Sequence, residues 1–182
     1  MHMCFSIIVF MFLLSFYCSG QNMQIDKLNR FLQTRFDSCI VYQSYSNWIY
    51  PQQFFIIGKN KANVLYYTYK PPLDDTTSIS INNKYLRIHK PKISNDYWQQ
   101  LIISNIWTTE HYIKRELKIK KDSLITTYSI FDGGEHDFYF ITKDQIRRLY
   151  FYAPEFYNEH APDKKLQNAL KAIKLFRNIF KD

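Results

Sequence analysis

Cysteine is nearly absent from this 182-residue sequence, which contains three, two of them within the first twenty residues. Removal of that segment would leave Cys39 alone. One thiol cannot form a disulfide within its own chain, so the hydrophobic core must hold the fold together without covalent cross-links. A remaining domain of about 160 residues can bury enough apolar surface to do so.

Signatures of the common catalytic and ligand sites are also missing. The sequence has no His-x-x-x-His or Cys-x-x-Cys arrangement, the spacings that bring metal ligands together on one helix or turn. Asp132-Gly133-Gly134 is not followed by Lys-Ser or Lys-Thr and precedes a predicted strand, so it indicates a turn instead of a phosphate-binding loop. Asp74-Asp75 lies in a polar loop with prolines, where solvated carboxylates are a simpler interpretation than an acid–base pair.

Charge is missing from residues 1–20, which contain no Asp, Glu, Lys or Arg. The apolar run from Phe5 to Tyr17 has the length of a signal-peptide core and is short for crossing a bilayer. Small residues end the segment, so the sequence predicts a signal peptide over 1–20, cleavage before Gln21, and an exported protein that is periplasmic or secreted. Because the segment starts without Lys or Arg, a membrane anchor through 1–20 stays open. Lipid attachment at Cys18 is the other alternative, disfavoured by the bulky aromatic residues before it.

The formal net charge is +8. A basic balance can indicate binding to nucleic acid or to an anionic surface. Here the basic residues are spread along the chain, and Lys is abundant together with Phe, Tyr, Ile and Asn, as AT-rich codon usage would produce. Dispersed charge and export both argue against nucleic-acid binding, which we do not expect.

Aromatic residues are the abundant class, at 18% of the chain. The richest stretch, residues 135–157, predicts a β-hairpin that folds back at Asp144-Gln145. This register places Phe140 opposite Leu149 and Phe138 opposite Phe151, and the four side chains form one apolar face because strand residues alternate sides. We expect this hairpin to nucleate the core.

The rest of residues 21–182 predicts a single α+β domain, with a largely antiparallel sheet of about six to eight strands and amphipathic helices near both termini. Helical spacing covers Gln24–Phe36 and Lys164–Phe180, and a shorter helix begins at Tyr97. A strand begins at Cys39, but the polar segment Gln43–Gln53 reads as a loop. Further strands are predicted at Phe54–Gly58, Val64–Tyr69, Ser78–Ile81, Lys84–His89, Arg115–Lys121 and Leu124–Phe131.

The second face of the central hairpin is the candidate binding surface. Tyr139, Tyr150 and Tyr152 stand on this face together with Arg148. Exposed aromatic rings can stack on a ligand or contact a partner. The alternative, which the two amphipathic helices favour, is that a helix covers this face and leaves the hydroxyl groups at the rim.

Two histidines are weak candidates for a metal site. His136 and His160 could lie at one end of the sheet, where Asp132, Glu135 or Glu159 would complete a ligand set. Polar residues near turns more often simply face water, so we expect no metal and no cofactor. Cys39 enters an apolar run without a neighbouring base and reads as a core residue.

These observations favour a non-enzymatic exported domain that binds an unknown partner protein or a cell-envelope component. The first alternative is a carrier whose curled aromatic sheet encloses a small apolar ligand. The second is a hydrolase that uses His136 or His160 with nearby carboxylates.

Overall fold

The computed structural model describes residues 25–45, 53–61, 63–71, 81, 85–91, 96–112, 116–121, 124–130 and 133–181. Several sequence predictions fall outside this part of the chain. They are the signal peptide with its cleavage site, the Asp74-Asp75 loop, the carboxylate of Asp132, and the strand Ser78–Ile81 except its last residue.

The described chain forms eight strands and four helices. The strands are β1 (Ser38–Tyr45), β2 (Phe54–Asn60), β3 (Asn63–Tyr69), β4 (Leu86–His89), β5 (Glu116–Lys121), β6 (Leu124–Ser129), β7 (Glu135–Thr142) and β8 (Ile146–Tyr152). The helices are α1 (residues 25–35), α2 (Tyr97–Ile103), α3 (Pro154–His160) and α4 (Lys164–Ile179), with a 3₁₀ turn at Ile106–Thr108. Six strands make an antiparallel sheet in the order β4-β3-β2-β1-β7-β8, and β5 and β6 make a separate hairpin. The predicted α+β class is confirmed.

Strand β1 lies in the middle of the sheet and is longer than its sequence predicts. It pairs antiparallel with β2 on one side and with β7 on the other, and it continues through Gln43 to Tyr45. Polar side chains made this end look like a loop. Pairing with β7 along its whole length, and with β2 as far as Gln43, holds this end extended, which local sequence cannot reveal.

The central hairpin forms as predicted, but its register was wrong by two residues. Phe138 pairs with Leu149, and the chain reverses at Lys143-Asp144. The Thr142 N–H donates to the Gln145 carbonyl at 2.9 Å, which closes a two-residue turn one position earlier than expected. Because side chains alternate with a period of two, this shift keeps every residue on its predicted face.

One face of the sheet, which we call the α4 face, packs against α2, α3 and α4. It contains Ile40, Tyr42, Ile57, Phe138, Phe140, Leu149 and Phe151, all buried in one cluster with the apolar stripe of α4. Phe176 of α4 contacts both Tyr42 and Phe138, with ring centroids 5.0 and 6.1 Å apart. The predicted apolar stripe of the C-terminal helix therefore does cover the sheet.

The opposite face, the α1 face, packs against α1. Its buried side chains include Cys39, Val41, Ile56, Tyr67, Tyr139 and Ile141, in contact with the helix residues Ile25, Leu28 and Leu32. The central strands β1, β2 and β7 thus bury both of their sides, one under α1 and one under the other helices. The sheet is the middle layer of a three-layer fold.

Helix α3 was not predicted, because its prolines suggested an interruption. Pro154 occupies the first turn of the helix, where the missing N–H costs nothing. The preceding residue, Ala153, has the left-handed backbone value φ 43°, and its N–H donates to Gly134. This contact turns the chain sharply from β8 into α3 and places the helix at the end of the sheet.

Candidate functional site

Strand alternation places the four residues of the predicted binding surface on the α1 side of the central hairpin, but the ring of Tyr152, at the end of β8, packs against the α4-face cluster. In the observed register Tyr139 pairs with Arg148, and Tyr150 pairs with Asp137. Tyr139 is buried beneath α1, whereas Tyr150 and Tyr152 are half-buried and Arg148 is exposed. The helix therefore covers one of the four residues and leaves three of them accessible.

A buried carboxylate anchors this surface. Asp137 is 1% exposed, yet its oxygens accept hydrogen bonds from Arg148 Nε at 2.7 Å and Arg148 Nη2 at 2.8 Å. The Tyr45 hydroxyl donates to the same carboxylate at 3.0 Å. This bidentate pairing fixes the plane of the guanidinium group. Its carbon also lies 5.8 Å from the ring centroids of Tyr139 and Tyr150, within range of a cation–π contact.

We call Tyr45, Arg148, Tyr150 and Tyr152 the tyrosine–arginine surface. Burial, followed by the carboxylates of Asp137 and Glu135, raises the pKa of Tyr45. Burial and then Glu135 raise the pKa of Tyr150 in the same direction. Both hydroxyl groups therefore stay protonated and can donate hydrogen bonds.

Tyr152 is held by the chain that precedes β7. Its hydroxyl donates to the Ile130 carbonyl at 2.8 Å and accepts from the Gly133 N–H at 3.2 Å. The ring is consequently fixed at the end of β8, opposite Glu135. An ordered ring at the rim of a sheet loses little entropy when a partner contacts it.

Gln43 lies beside the anchor and was missed by sequence reasoning. It pairs directly with Asp137 across β1 and β7 and is only 4% exposed. Its Nε2 has no hydrogen-bond partner in the part of the chain that the structure describes. A buried donor without a partner is costly, so this amide marks a position where a hydrogen-bond acceptor would be stabilising.

The outer edge of β8 is partly covered by the segment after α2. Arg147 donates to the carbonyl groups of Trp107 and Thr109, the latter at 2.8 Å. The Tyr150 N–H donates to His111 at 3.4 Å. Ile146, at the start of β8, remains 40% exposed and adds an apolar side chain on the α1 face.

His136 lies on the other face of the sheet, in a buried polar group. Its Nδ1 is 2.9 Å from the Tyr42 hydroxyl, and its Nε2 is 3.7 Å from a Glu155 carboxylate oxygen. Glu155 also accepts from Arg177 of α4. Burial lowers the pKa of His136 to about 4, against the opposing effect of Glu155, so the imidazole is neutral near pH 7.

The structure does not bring His136 and His160 into one metal-binding group. His160 is exposed at the end of α3, with its ring against Phe156 and Tyr128. His136 contacts Glu155 instead of the expected Glu135 or Glu159. Among the described residues, no three His, Cys, Asp or Glu side chains are grouped as metal ligands would be.

Cys39 is fully buried beneath α1, between core residues of the α1 face. Burial raises the pKa of its thiol far above the usual value. A neutral thiol without access to solvent is a poor nucleophile.

Comparison of the chain with protein-family models, with curated proteins and with solved structures found no match. Among the described helices, none combines the length and the apolar character that a bilayer-spanning helix requires.

Proposed function

We propose that the protein is a non-enzymatic exported domain that binds a partner protein or a cell-envelope component through the tyrosine–arginine surface. The export part of the proposal rests on the uncharged apolar segment at residues 1–20. The binding part rests on the residues arranged around Asp137.

The observation that carries the proposal is the state of Arg148. Its side chain is 47% exposed, yet two hydrogen bonds to Asp137 hold it in one orientation. Arg and Tyr are enriched among residues that dominate binding energies, and groups that are already ordered lose less entropy on association. Arg148 has both properties, because it is exposed but immobile and lies beside Tyr45, whose hydroxyl is held by the same carboxylate.

The charges and hydrogen-bond donors of the tyrosine–arginine surface indicate what kind of partner it would bind. Asp137 compensates the charge of Arg148, so the surface offers hydrogen-bond donors without a net excess of positive charge. The donors are the hydroxyl group of Tyr150 and the free side of the guanidinium, because the Tyr45 hydroxyl already donates to Asp137. Such a surface suits a partner that presents carbonyl or hydroxyl oxygens beside an apolar group.

The alternatives receive less support from the side chains on which they depend. A hydrolase built on His136 would need that imidazole to reach a substrate, but it is buried against Tyr42. A carrier would need the aromatic face of the hairpin to line a cavity. Phe138 instead packs against Phe140, Phe151 and Phe176, with ring centroids 6.1–6.4 Å apart.

Paired substitutions test the proposal without disturbing the buried anchor. Tyr150→Ala and Ile146→Glu alter the surface, while Tyr128→Ala and Ile125→Glu make the same changes at exposed positions of the β5–β6 hairpin. Each variant would be immobilised and exposed to solubilised envelope from the source cells, and thermal unfolding would establish that it is folded.

We expect the first pair to lose at least one bound component that the wild type and the second pair retain. Retention of all components by Tyr150→Ala and Ile146→Glu would contradict the proposal. Equal losses in both pairs would also contradict it, because binding would then not depend on this surface.

A further inference from the structure

Helix α4 presents a stripe of lysines to solvent. Residues 164–181 contain no Asp or Glu. The outward side of the helix is formed by Lys164, Gln167, Lys171, Lys174 and Asn178, followed by Lys181 after its end. We call Lys164, Lys171, Lys174 and Lys181 the lysine stripe. At 1.5 Å per residue the stripe is about 25 Å long.

The lysines of the stripe form no ion pair among the described residues, although Asp163 directly precedes Lys164 at the helix N-cap. The other two cations of this segment are paired, Lys165 with Glu110 at 2.8 Å and Arg177 with Glu155 at 3.3 Å. The four lysines of the stripe have no ion-pair partner within 4 Å among the described residues. The helix therefore carries paired charge on its flanks and unpaired charge along its outer side.

Packing fixes the direction in which the stripe points. The opposite side of α4 is buried in the α4-face cluster through Leu166, Ala169, Ile173 and Phe176. Rotation of the helix would expose these residues, so the lysines must face away from the sheet. They lie on the other side of the molecule from α1 and the tyrosine–arginine surface.

The stripe does not serve helix stability. Like charges along one face repel each other, and Lys164 lies at the positive end of the helix dipole. Positive charge is also avoidable here, since Gln has nearly the same helix propensity as Lys. The stripe is thus a concentrated positive surface within a chain whose basic residues look dispersed in sequence.

We propose that the lysine stripe binds the anionic headgroups of a phospholipid bilayer. A straight row of flexible ammonium groups can contact a plane along its whole length, and each lysine near an anionic membrane surface contributes to binding. Side chains between the lysines are Gln and Asn, so the helix rests on the headgroups without inserting an apolar face. The sequence predicts a signal or an anchor over residues 1–20, and either would bring the same chain to a membrane.

Nucleic acid is the less favoured anionic partner. Binding to single strands combines positive charge with aromatic rings on which bases stack. The outward side of α4 carries no aromatic residue, and Phe176 and Phe180 are buried on its inner side. The proposal does not rest on the function proposed above, because it uses different residues on the opposite side of the sheet.

Vesicle sedimentation of the full chain tests the proposal. Partition coefficients are measured for phosphatidylcholine vesicles with and without about 30% phosphatidylglycerol, and the ratio of the two is compared between variants. Any binding of residues 1–20 to neutral vesicles cancels in this ratio. The test variant carries Lys164→Gln, Lys171→Gln, Lys174→Gln and Lys181→Gln. The control removes four exposed cations elsewhere, by Arg30→Gln, Lys70→Gln, Lys90→Gln and Lys118→Gln.

We expect the wild type to prefer anionic vesicles and the test variant to lose roughly tenfold or more of that preference. The control should keep most of it, although its net charge is the same as that of the test variant. Raising NaCl from about 50 to about 500 mM should abolish the preference of the wild type. Should the quadruple variant unfold, Lys171→Gln with Lys174→Gln alone should give an intermediate loss.

Two outcomes would overturn the proposal. Equal losses in the test and control variants would show that net charge, and not the stripe, determines binding. Absence of any preference for anionic vesicles would also overturn it, and binding of an RNA or DNA oligonucleotide that depends on the four lysines would then replace the membrane by nucleic acid. Neither outcome changes the result expected for partner capture by Tyr150→Ala, so each proposal can be contradicted without the other.

Discussion

Arg148 donates to both oxygens of the buried Asp137 carboxylate from the diagonal position on the neighbouring strand, at 2.7 and 2.8 Å. The predicted hairpin register, shifted by two residues, would have moved these side chains apart. The ion pair is thus a feature of the observed register and helps to stabilise it.

Removal of Arg148 should destabilise the fold. In Arg148→Ala the carboxylate of Asp137 keeps, among the described side chains, the Tyr45 hydroxyl as its one donor. We expect the free energy of unfolding to fall by about 2 kcal/mol, less than for a fully buried pair because Arg148 is half-exposed. Adding Asp137→Asn should recover part of the loss, since no charge then remains buried. Urea unfolding measures both values, and a double variant no more stable than Arg148→Ala would contradict this account.

Lowering the pH should reduce the free energy of unfolding, because His136 becomes protonated more readily in the unfolded chain. Its pKa is about 4 in the folded protein against 6.5 ordinarily, so the unfolded chain takes up the proton first as the pH is lowered. The stabilisation is complete above about pH 6.5 and is lost as the pH falls from 6.5 to 4. Over this range the free energy of unfolding should decrease by no more than about 1.4 kcal/mol per pH unit. Tyr42, Glu155, Arg177 and Asp137 are the polar groups around the imidazole.

Urea midpoints at several pH values would measure this dependence. His136→Gln should flatten the decline between pH 6.5 and 4, because the titrating group is gone. His160→Gln, at an exposed position, serves as the matched control and should leave the decline unchanged. A wild-type profile that His136→Gln does not alter would exclude His136 as its cause.

A side chain larger than that of glycine should not fit at position 58. A Cβ there would lie 2.6 Å from the ring of Phe36, which is buried between the sheet and α1. We expect Gly58→Ala to cost about 1–3 kcal/mol of unfolding free energy, as overpacking does. Gly133→Ala should cost a similar amount, since its Cβ would lie 2.4 Å from Ala153. Gly134→Ala is the control, with its closest contact at an ordinary 3.5 Å, and a loss as large as that of Gly58→Ala would contradict the packing argument.

The side-chain amide of Gln43 should reduce the stability of the free protein and take part in binding the proposed partner. Gln43→Met has nearly the same shape and removes the Nε2, which has no hydrogen-bond partner among the residues that the structure describes. We expect the free energy of unfolding to rise by up to about 1 kcal/mol, because a buried donor without a partner carries a desolvation cost. If the amide contacts the partner, the same variant should bind it more weakly. A marked destabilisation instead would show that the amide is already satisfied in the folded protein.

Periodicity was enough to predict helices α1 and α4 and the hairpin of β7 and β8. The stripe of α4, the spacing of α1 and the alternation of β7 and β8 each follow from residues close in sequence, and each assigned the correct face. Face assignment is robust because a register shift of two residues does not change it.

The candidate site was predictable only in part. Tyr139, Tyr150 and Arg148 share a face by simple alternation, so the sequence placed them together, whereas the ring of Tyr152 packs against the α4-face cluster. The anchor around Asp137 depends on Gln43 and Tyr45, which lie more than ninety residues earlier in the chain. Their polar segment resembles a loop, and only pairing of β1 with β7 shows that it is a strand. Distant pairing of this kind has no local signature.

The position of β1 constrains the order in which this chain can fold. Strands β1, β2, β3 and β4 can pair as a local meander, but β1 finds its second neighbour only when β7, about a hundred residues later, is present. Until then one edge of the central strand is open, with Ile40 and Val41 unprotected. An exposed apolar edge is a template for aggregation, and distant contacts form slowly. A chain shortened before residue 133 would keep this edge permanently, and a chaperone acting on the nascent protein would find its binding surface there.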